Sequence, residues 1–287
     1  MKFLKRKNSY NQKLLLHLSF TGTNFRGFQY QKKGKTVQKE IENALKKINF
    51  EPKIVGCSRT DGGVHSRNFF AHTIYKDPDR GLKEILKGLN SNLSEDILIK
   101  SVARVSEDYH ARFSASSKIY RYFLFLGDNI PPPVEPFVTK FFVNLDIEKM
   151  GEILFLFIGK KDFRAFTTSE GRKISTLKEI LSVSIFEKKP LICIEIKGKS
   201  FLHRMVRFLV SALVSYGRGK VDKNFLAIAL EGKVDFLPFP AMPAKGLHLW
   251  DVEIDKGMLI EKYDNSCPLP LWPFESIDFE KSFHFPL

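Results

Sequence analysis

Residues 56–65 of the chain read GCSRTDGGVH, and this stretch decides how the rest of the sequence is interpreted. Asp61 stands two residues after Arg59 and directly before two glycines. Glycine is used where the backbone bends sharply or where another molecule approaches closely. We therefore predict that Asp61 lies on a tight turn between strands near residues 52–56 and 69–75, with its side chain presented into a cleft. The alternative is ordinary turn chemistry, because aspartate favours turns for its own hydrogen bonds.

The composition predicts a folded, strongly basic protein. The chain has 287 residues, 43% of them hydrophobic, and 27 phenylalanines can contribute to a large core. Lysine and arginine total 46 against 32 acidic residues, which gives a formal net charge of +14. A globular protein this basic usually meets a polyanion, nucleic acid first and an anionic membrane second. The alternative is a basic surface without a specific partner.

The cysteines and short motifs predict a reducing, cytoplasmic setting and chemistry without a cofactor or a metal. The three cysteines are far apart, with neither zinc spacing nor the pattern of a disulfide framework. The chain has no Gly-x-Gly-x-x-Gly, no Walker loop and no His/Cys cluster. The N-terminus does not resemble a signal peptide, and the longest apolar run, residues 153–158, is too short to span a bilayer. We expect no membrane association.

Hydrophobic periodicity predicts a mixture of helices and strands with short connections. Helices are expected from a Thr36 cap through Ile48, over residues 82–90, 147–157 and 222–230, and from a Ser200 cap to Gly217 or Gly219. Strands are expected over residues 14–20, 97–105, 118–126, 177–187, 191–197 and 247–254. Short turns between several strands favour antiparallel pairing. The predicted fold is α+β, with two similar α/β halves whose largely antiparallel sheets form a basic central cleft.

We divide the chain into five segments. These are a basic N-terminal segment (1–13), an N-terminal α/β half that carries Asp61 (14–126), a proline-rich connection (127–145), a C-terminal α/β half (146–256) and a tail (257–287). The tail is rich in proline and phenylalanine without a clear period, and its place in the fold is not predicted.

Several motifs occur in a fixed order between residues 14 and 254. They are FTGTNFRGFQ (20–29), TVQ (36–38), the 56–65 stretch, HARFSA (110–115) followed by YRY (120–122), DFxxF (162–166), FLHRMVR (201–207) and GLxL (246–249). In these motifs the chain resembles tRNA pseudouridine synthases of the TruA family. Two positions depart from the family pattern, since Gly63 replaces the usual alanine and Phe28 replaces tryptophan, and the segment 169–178 lacks a common arginine.

The resemblance implies a homodimer that isomerises uridines 38, 39 and 40 of the tRNA anticodon arm to pseudouridine, with tRNA as partner. It implies that Asp61 is the nucleophile, and a carboxylate can form a covalent intermediate that divides one hard step into two. Arg207 is the implied ion-pair partner, since an ionised carboxylate in a water-poor pocket is costly unless paired. Arg59 is expected to displace the nucleotide or hold a phosphate, and Tyr120 to stack on the target base.

Each of these residues also has a plainer interpretation. Arg207 could be an arginine on a helix surface, Arg59 a solvent-facing arginine and Tyr120 a core tyrosine. For three further residues the plain interpretation is the expected one. His65 is expected to hydrogen-bond the Asp61 loop, His203 to be structural or phosphate-facing, and Cys57 to be a small buried residue. For the whole protein, the alternatives are a non-catalytic RNA-binding protein on the same scaffold and a general DNA- or membrane-binding protein. The sequence shows no helix-turn-helix, zinc finger or basic amphipathic stretch to favour the last of these.

Overall fold

A computed structural model describes residues 12–75, 80–142, 145–264 and 272–286. Most of the predicted segment 1–13 and part of the tail 257–287 lie outside these ranges. The strands are β1 (Gln12–Phe20), β2 (Ile54–Gly56), β3 (His65–Tyr75), β4 (Ile97–Val105), β5 (Ala115–Leu126), β6 (Thr139–Phe141), β7 (Gly159–Asp162), β8 (Leu177–Lys188), β9 (Leu191–Gly198), β10 (Leu247–Ile254), β11 (Leu259–Asp264) and β12 (Glu280–Pro286). The α-helices are α1 (Val37–Lys47), α2 (Leu82–Asn90), α3 (Ile147–Gly151), α4 (Met205–Gly217) and α5 (Lys223–Leu230).

The strands form one 12-stranded sheet whose main path runs β11-β4-β1-β3-β10-β5-β9-β8-β12. The short strands β2, β6 and β7 pair with β3, β5 and β8. Pairing is antiparallel except between β3 and β10 and between β5 and β6. The α+β prediction with largely antiparallel pairing is confirmed. The late strand β10 lies between β3 and β5, so the sheet continues without a break from the N-terminal to the C-terminal half.

Alternation along the strands sends one set of side chains to the helices and the other to the opposite face. Tyr120 and Tyr122 point to the helical face of β5, where they join the core cluster that also holds the buried residues of α1, α2, α4 and α5. Phe123 points away from the helices and packs with Trp250 in a second, smaller cluster.

The first helix shows how the sequence sets a boundary. The Thr36 side chain accepts a hydrogen bond from the Lys39 amide, and this cap stabilises the first turn of α1 as predicted. Val37, Ile41 and Leu45 follow at helical spacing, and all three are buried. Within the described ranges, none of the helices combines the length and hydrophobicity needed to cross a bilayer.

Two helix predictions are wrong in their bounds. The helix expected from Ser200 begins only at Met205, because Arg204 before it adopts a left-handed backbone conformation with φ of 58°. A left-handed residue cannot continue an α-helix, so residues 201–204 form an irregular turn. The helix expected over residues 147–157 ends at Gly151 and is followed by a separate 3-10 helix, Leu154–Phe157.

Trp272 and Phe274 of the tail pack on the face opposite the helices, in the cluster that holds Phe123 and Trp250. Trp272 is 6% exposed and donates a hydrogen bond from Nε1 to Nδ1 of the buried His248 over 3.0 Å. Phe274 lies against Phe123, with 4.5 Å between ring centroids. The strand β12 then extends the sheet by pairing with β8. Trp272 and Phe274 are therefore part of the folded core.

We expect Trp272→Ala to lower the free energy of unfolding by about 3–5 kcal/mol, because it removes a buried aromatic side chain and leaves a cavity. Urea unfolding followed by circular dichroism measures the change. Phe142→Ala is the control, since Phe142 is 71% exposed and should change stability by no more than about 0.5 kcal/mol. Equal effects of the two substitutions would show that the tail contributes nothing to the core.

Candidate active site

The Asp61 turn is held by a neighbouring loop, which is the FTGTNFRGFQ motif at residues 20–29. The turn lies between β2 and β3. Its Gly63 amide donates to the Phe25 carbonyl, and its Thr60 carbonyl accepts from the Phe28 amide, each over 3.2 Å. Two motifs that are separate in the sequence therefore act as one unit, in which the loop fixes the backbone on both sides of Asp61.

Glycine is required at two positions of this unit. A β-carbon on Gly27 would lie 2.4 Å from the Thr60 carbonyl oxygen, which only glycine can approach so closely. Gly63 has φ of +80°, in the left-handed region that disfavours other residues. Because the positive φ requires glycine at position 63, the family's alanine, which stands between the aspartate and that glycine, aligns with Gly62, and the departure predicted at Gly63 lies at Gly62 instead.

The Asp61 carboxylate is paired with Arg207 of α4. Arg207 donates from Nη1 to Oδ2 of Asp61 over 2.9 Å, and the two side chains are 13% and 17% exposed. Arg207 also donates from Nε to the Met242 carbonyl oxygen over 2.6 Å, which fixes its guanidinium. The structure therefore brings together the acid and the arginine that the sequence analysis singled out from opposite halves of the chain.

His203 contacts the same carboxylate, and its position was not anticipated. Its Nε2 lies 3.4 Å from Oδ1 of Asp61, and its Nδ1 lies 2.7 Å from Oγ1 of Thr168. The left-handed Arg204 reverses the chain after His203, so the contact arises from an irregular turn. The available signal was the spacing of four residues from Arg207, which would place both side chains on one face of a continuous helix.

Asp61 lies in the wall of a cavity of about 1010 Å³ on the open part of the helical face. We call this the Asp61 cavity. Its lining includes seven basic residues, Arg26, Arg59, Arg112, Lys118, Lys173, Lys199 and Arg204, but only two acidic ones, Asp61 and Glu170. Arg59 is exposed, and no hydrogen bond or ion pair holds its guanidinium within the described residues. The predicted basic cleft is present, and Arg59 shares it with Asp61.

Tyr120 also lines the Asp61 cavity, but its ring is only 5% exposed. Its hydroxyl lies 3.2 Å from Ser58 Oγ, and Phe201 packs edge-on against it with 5.0 Å between ring centroids. Burial raises the pKa of the Tyr120 hydroxyl above its ordinary value, so the ring is a neutral, apolar surface. Tyr122 is fully buried and donates to the Pro243 carbonyl oxygen, as expected for a packing residue.

His65 is buried and hydrogen-bonds the 20–29 loop. Its Nδ1 accepts a hydrogen bond from the Gly22 amide over 3.1 Å, so the proton lies on Nε2, which donates to the Pro136 carbonyl oxygen over 3.0 Å. Burial lowers the pKa of His65 to about 4, which keeps the ring neutral. The sequence predicts that His65 hydrogen-bonds the Asp61 loop, whereas its ring contacts the adjacent 20–29 loop and Pro136. Cys57 is fully buried, as expected.

Comparisons with known proteins identify the family. A family model described as tRNA pseudouridine synthase matches residues 153–255. The tRNA pseudouridine synthase A of Aquifex aeolicus is 37% identical over 236 residues, which cover 82% of this chain and 96% of that protein. The chain belongs to the tRNA pseudouridine synthase A family. It is therefore an enzyme of the isomerase class.

Two further tRNA pseudouridine synthase A proteins match over nearly their whole lengths. That of Ruminiclostridium cellulolyticum is 34% identical over 240 residues, 83% of this chain and 98% of the relative. That of Vibrio campbellii is 32% identical over 242 residues, 84% of this chain and 91% of the relative. The match to the tRNA pseudouridine synthase A family thus covers more than four fifths of this chain and reaches both halves of the sheet.

The neutral state of His65 predicts a pH dependence of stability. The unfolded chain, with its ordinary pKa of 6.5, binds a proton before the folded chain does, so folding loses stability as the pH falls from about 6.5 to 4. For this one group the loss reaches about 3 kcal/mol. His65→Gln can keep both hydrogen bonds without titrating. We expect it to reduce the drop in unfolding free energy between pH 7.5 and 4.5 in urea titrations, whereas an unchanged drop would contradict the assignment.

Proposed function

We propose that this enzyme isomerises uridines 38, 39 and 40 in the anticodon stem-loop of tRNA to pseudouridine, with Asp61 as the nucleophile and without a cofactor. The observation that carries the proposal is the ion pair between Asp61 and Arg207 in the wall of a basic cavity. Such a cavity suits a polyanionic substrate, because RNA phosphates are attracted by surplus positive charge. Family membership supports tRNA as that substrate.

The reaction needs a charged oxygen beside the ribose. The bond between ribose C1′ and uracil N1 breaks, the base rotates, and its C5 carbon takes the place of N1. The hydrogen on C5 goes to water, and N1 gains a proton, so atoms balance without a co-substrate. A carboxylate can divide this exchange into two easier steps by forming a covalent intermediate.

Arg207 is proposed to keep the carboxylate charged and oriented. Removing an ion from water is costly, and a close opposite charge with further hydrogen bonds offsets that cost. Arg207 is not part of the cavity lining, whereas Asp61 is, so the guanidinium approaches the carboxylate from the protein side. The other carboxylate oxygen, Oδ1, faces His203. Arg59, which is exposed in the same wall, is proposed to displace the target nucleotide or hold a phosphate.

Tyr120 is proposed to stack on the target base after the nucleotide has left the RNA stack. Extruded bases are usually read by stacking on aromatic walls. Because the Tyr120 ring is nearly buried and Phe201 lies against it, base entry requires Phe201 to move away from the ring. Phe201 lies in the irregular turn before α4, where the helix hydrogen bonds do not fix it. The homodimer and the cytoplasmic location stay predictions from the family resemblance.

The first test uses tRNA that carries tritium at C5 of uridine, because forming the new C5 bond releases this hydrogen. Wild type should release tritium, Asp61→Ala should release none, and both should bind tRNA, since phosphate contacts dominate affinity. Glu170→Gln is the matched control, as it removes the other carboxylate of the cavity lining and should keep activity. Equal release from wild type and Asp61→Ala would remove Asp61 from the mechanism. Binding without release by wild type would favour the non-catalytic alternative.

Arg207→Met should lower kcat/KM for tritium release by roughly 10- to 150-fold, the equivalent of losing a charged hydrogen bond of about 1.5–3 kcal/mol. The control is Arg218→Met, which changes an exposed arginine that caps the end of the same helix. Thermal unfolding checks that both variants remain folded at the assay temperature. A folded Arg207→Met enzyme with the kcat/KM of wild type would show that the ion pair has no part in catalysis.

A further inference from the structure

Lys118 is a buried cation that faces the Asp61 cavity without a counter-ion. Its side chain is 9% exposed, and it is part of the cavity lining. It lies two residues before Tyr120 on β5, so the two side chains share one face of the strand. Within the described residues, Lys118 Nζ makes neither a hydrogen bond nor an ion pair. A buried charge without a partner is costly, which makes this position a candidate site for an anion.

The groups near Lys118 do not supply the missing negative charge. The ionisable groups that act electrostatically on Lys118 are Cys57 and Arg112. Burial raises the pKa of the Cys57 thiol to about 11, so the thiol is neutral. Arg112 adds a second positive charge, and burial and this neighbour both lower the pKa of Lys118 from its ordinary value. An anion bound between the two cations would relieve their repulsion.

Phe113 supplies an apolar surface next to these cations. Its side chain is 77% exposed, although it belongs to the wall of the same cavity. The ring is held by His110, with 4.4 Å between ring centroids, and by the Arg112 guanidinium 5.9 Å from its centroid. An exposed apolar ring beside the Arg112 guanidinium, in a cavity wall that also includes Lys118, has the composition of single-stranded nucleic-acid sites, where bases stack on aromatic rings and cations follow the backbone.

We propose that Lys118, Arg112 and Phe113 form a nucleotide subsite of the Asp61 cavity, in which the two cations bind one RNA backbone phosphate and the Phe113 ring stacks against a neighbouring base. The inference rests on the proposed function, because it requires tRNA to enter this cavity. The position of Lys118 beside Tyr120 puts the bound phosphate close to the target nucleotide. The subsite thus holds the RNA next to the place where the target base is turned out of the stack.

The phosphate contact is tested with Lys118→Met, which removes the charge and keeps an aliphatic side chain of similar length. Affinity for an unmodified tRNA transcript is measured by filter binding between roughly 50 and 200 mM salt. We expect weaker binding and a slope of log affinity against log salt that is reduced by about 0.7–0.9, one phosphate contact. Lys118→Arg should restore both. The control is Lys188→Met, an exposed lysine at the end of β8 outside the cavity lining, which should leave both unchanged.

The stacking contact is tested with Phe113→Ala, which removes an exposed ring and therefore leaves folding intact. Affinity for the same transcript should fall by roughly fivefold or more, the lower end of what a stacked base contributes. Phe113→Tyr should restore the affinity. Phe142→Ala is the matched control, since Phe142 is comparably exposed but outside the cavity lining. The salt slope of Phe113→Ala should equal that of wild type, because no charge is lost.

These outcomes separate the subsite from the proposed function. A wild-type protein that neither binds the transcript nor releases tritium would overturn both proposals. If wild type does both, unchanged affinity in Lys118→Met and Phe113→Ala would overturn the subsite alone. Equal weakening by Lys118→Met and Lys188→Met would also overturn it, since overall charge would then explain the effect. If Lys118→Met fails to fold, the subsite is tested by the transcript affinities of Phe113→Ala and its control Phe142→Ala.

Discussion

The ion pair between Asp61 and Arg207 is the interaction on which the site depends. The two residues are 146 positions apart and lie in opposite halves of the chain, yet their charged groups meet at 2.9 Å with little exposure to water. A carboxylate in that setting is stable only while its partner is in place. Each partner is also fixed by backbone, Arg207 through the Met242 carbonyl and Asp61 through the clamp of the 20–29 loop. The site is thus assembled before any substrate arrives, which is what efficient electrostatic catalysis requires.

The sheet supplies the rigid frame for this pair. Strand β10 comes late in the chain but lies between β3 and β5, and it pairs with β3 over only two residue pairs, His248 with His65 and Leu249 with Ser66. The imidazole rings of His65 and His248 lie 4.8 Å apart, and burial lowers the pKa of both, so two neutral rings can pack where two charged ones would repel. The tail residue Trp272 stabilises this contact between β3 and β10 through its hydrogen bond to His248. The contacts that join the two halves therefore lie on the face of the sheet opposite the helices, and the Asp61 cavity lies on the helical face.

Local patterns in the sequence predicted most elements of this frame. The strands β4 and β10 have the predicted bounds, and Thr36 caps α1 as expected, because these features depend on residues close in the chain. The parallel pairing of β3 with β10 and the packing of the tail depend on distant residues, so periodicity could not indicate them. In the site, motif order identified Asp61 and Arg207 as a pair. It did not predict the contact of His203 with Asp61, which arises in the irregular turn around the left-handed Arg204, although the spacing of four residues from Arg207 was a signal for it.

The distribution of charge in the cavity affects how RNA could approach the negatively charged Asp61. A free carboxylate would repel phosphate, but Arg207 neutralises Asp61 from the protein side, and Lys173 lies 2.8 Å from Glu170. Among the described residues, five cations of the lining, Arg26, Arg59, Arg112, Lys118 and Arg204, have no acidic partner. Their mutual repulsion destabilises the empty site, and an anionic ligand would remove that cost on binding. The ion pair with Arg207 therefore offsets the negative charge of Asp61 and leaves the cavity positive enough to attract a polyanion.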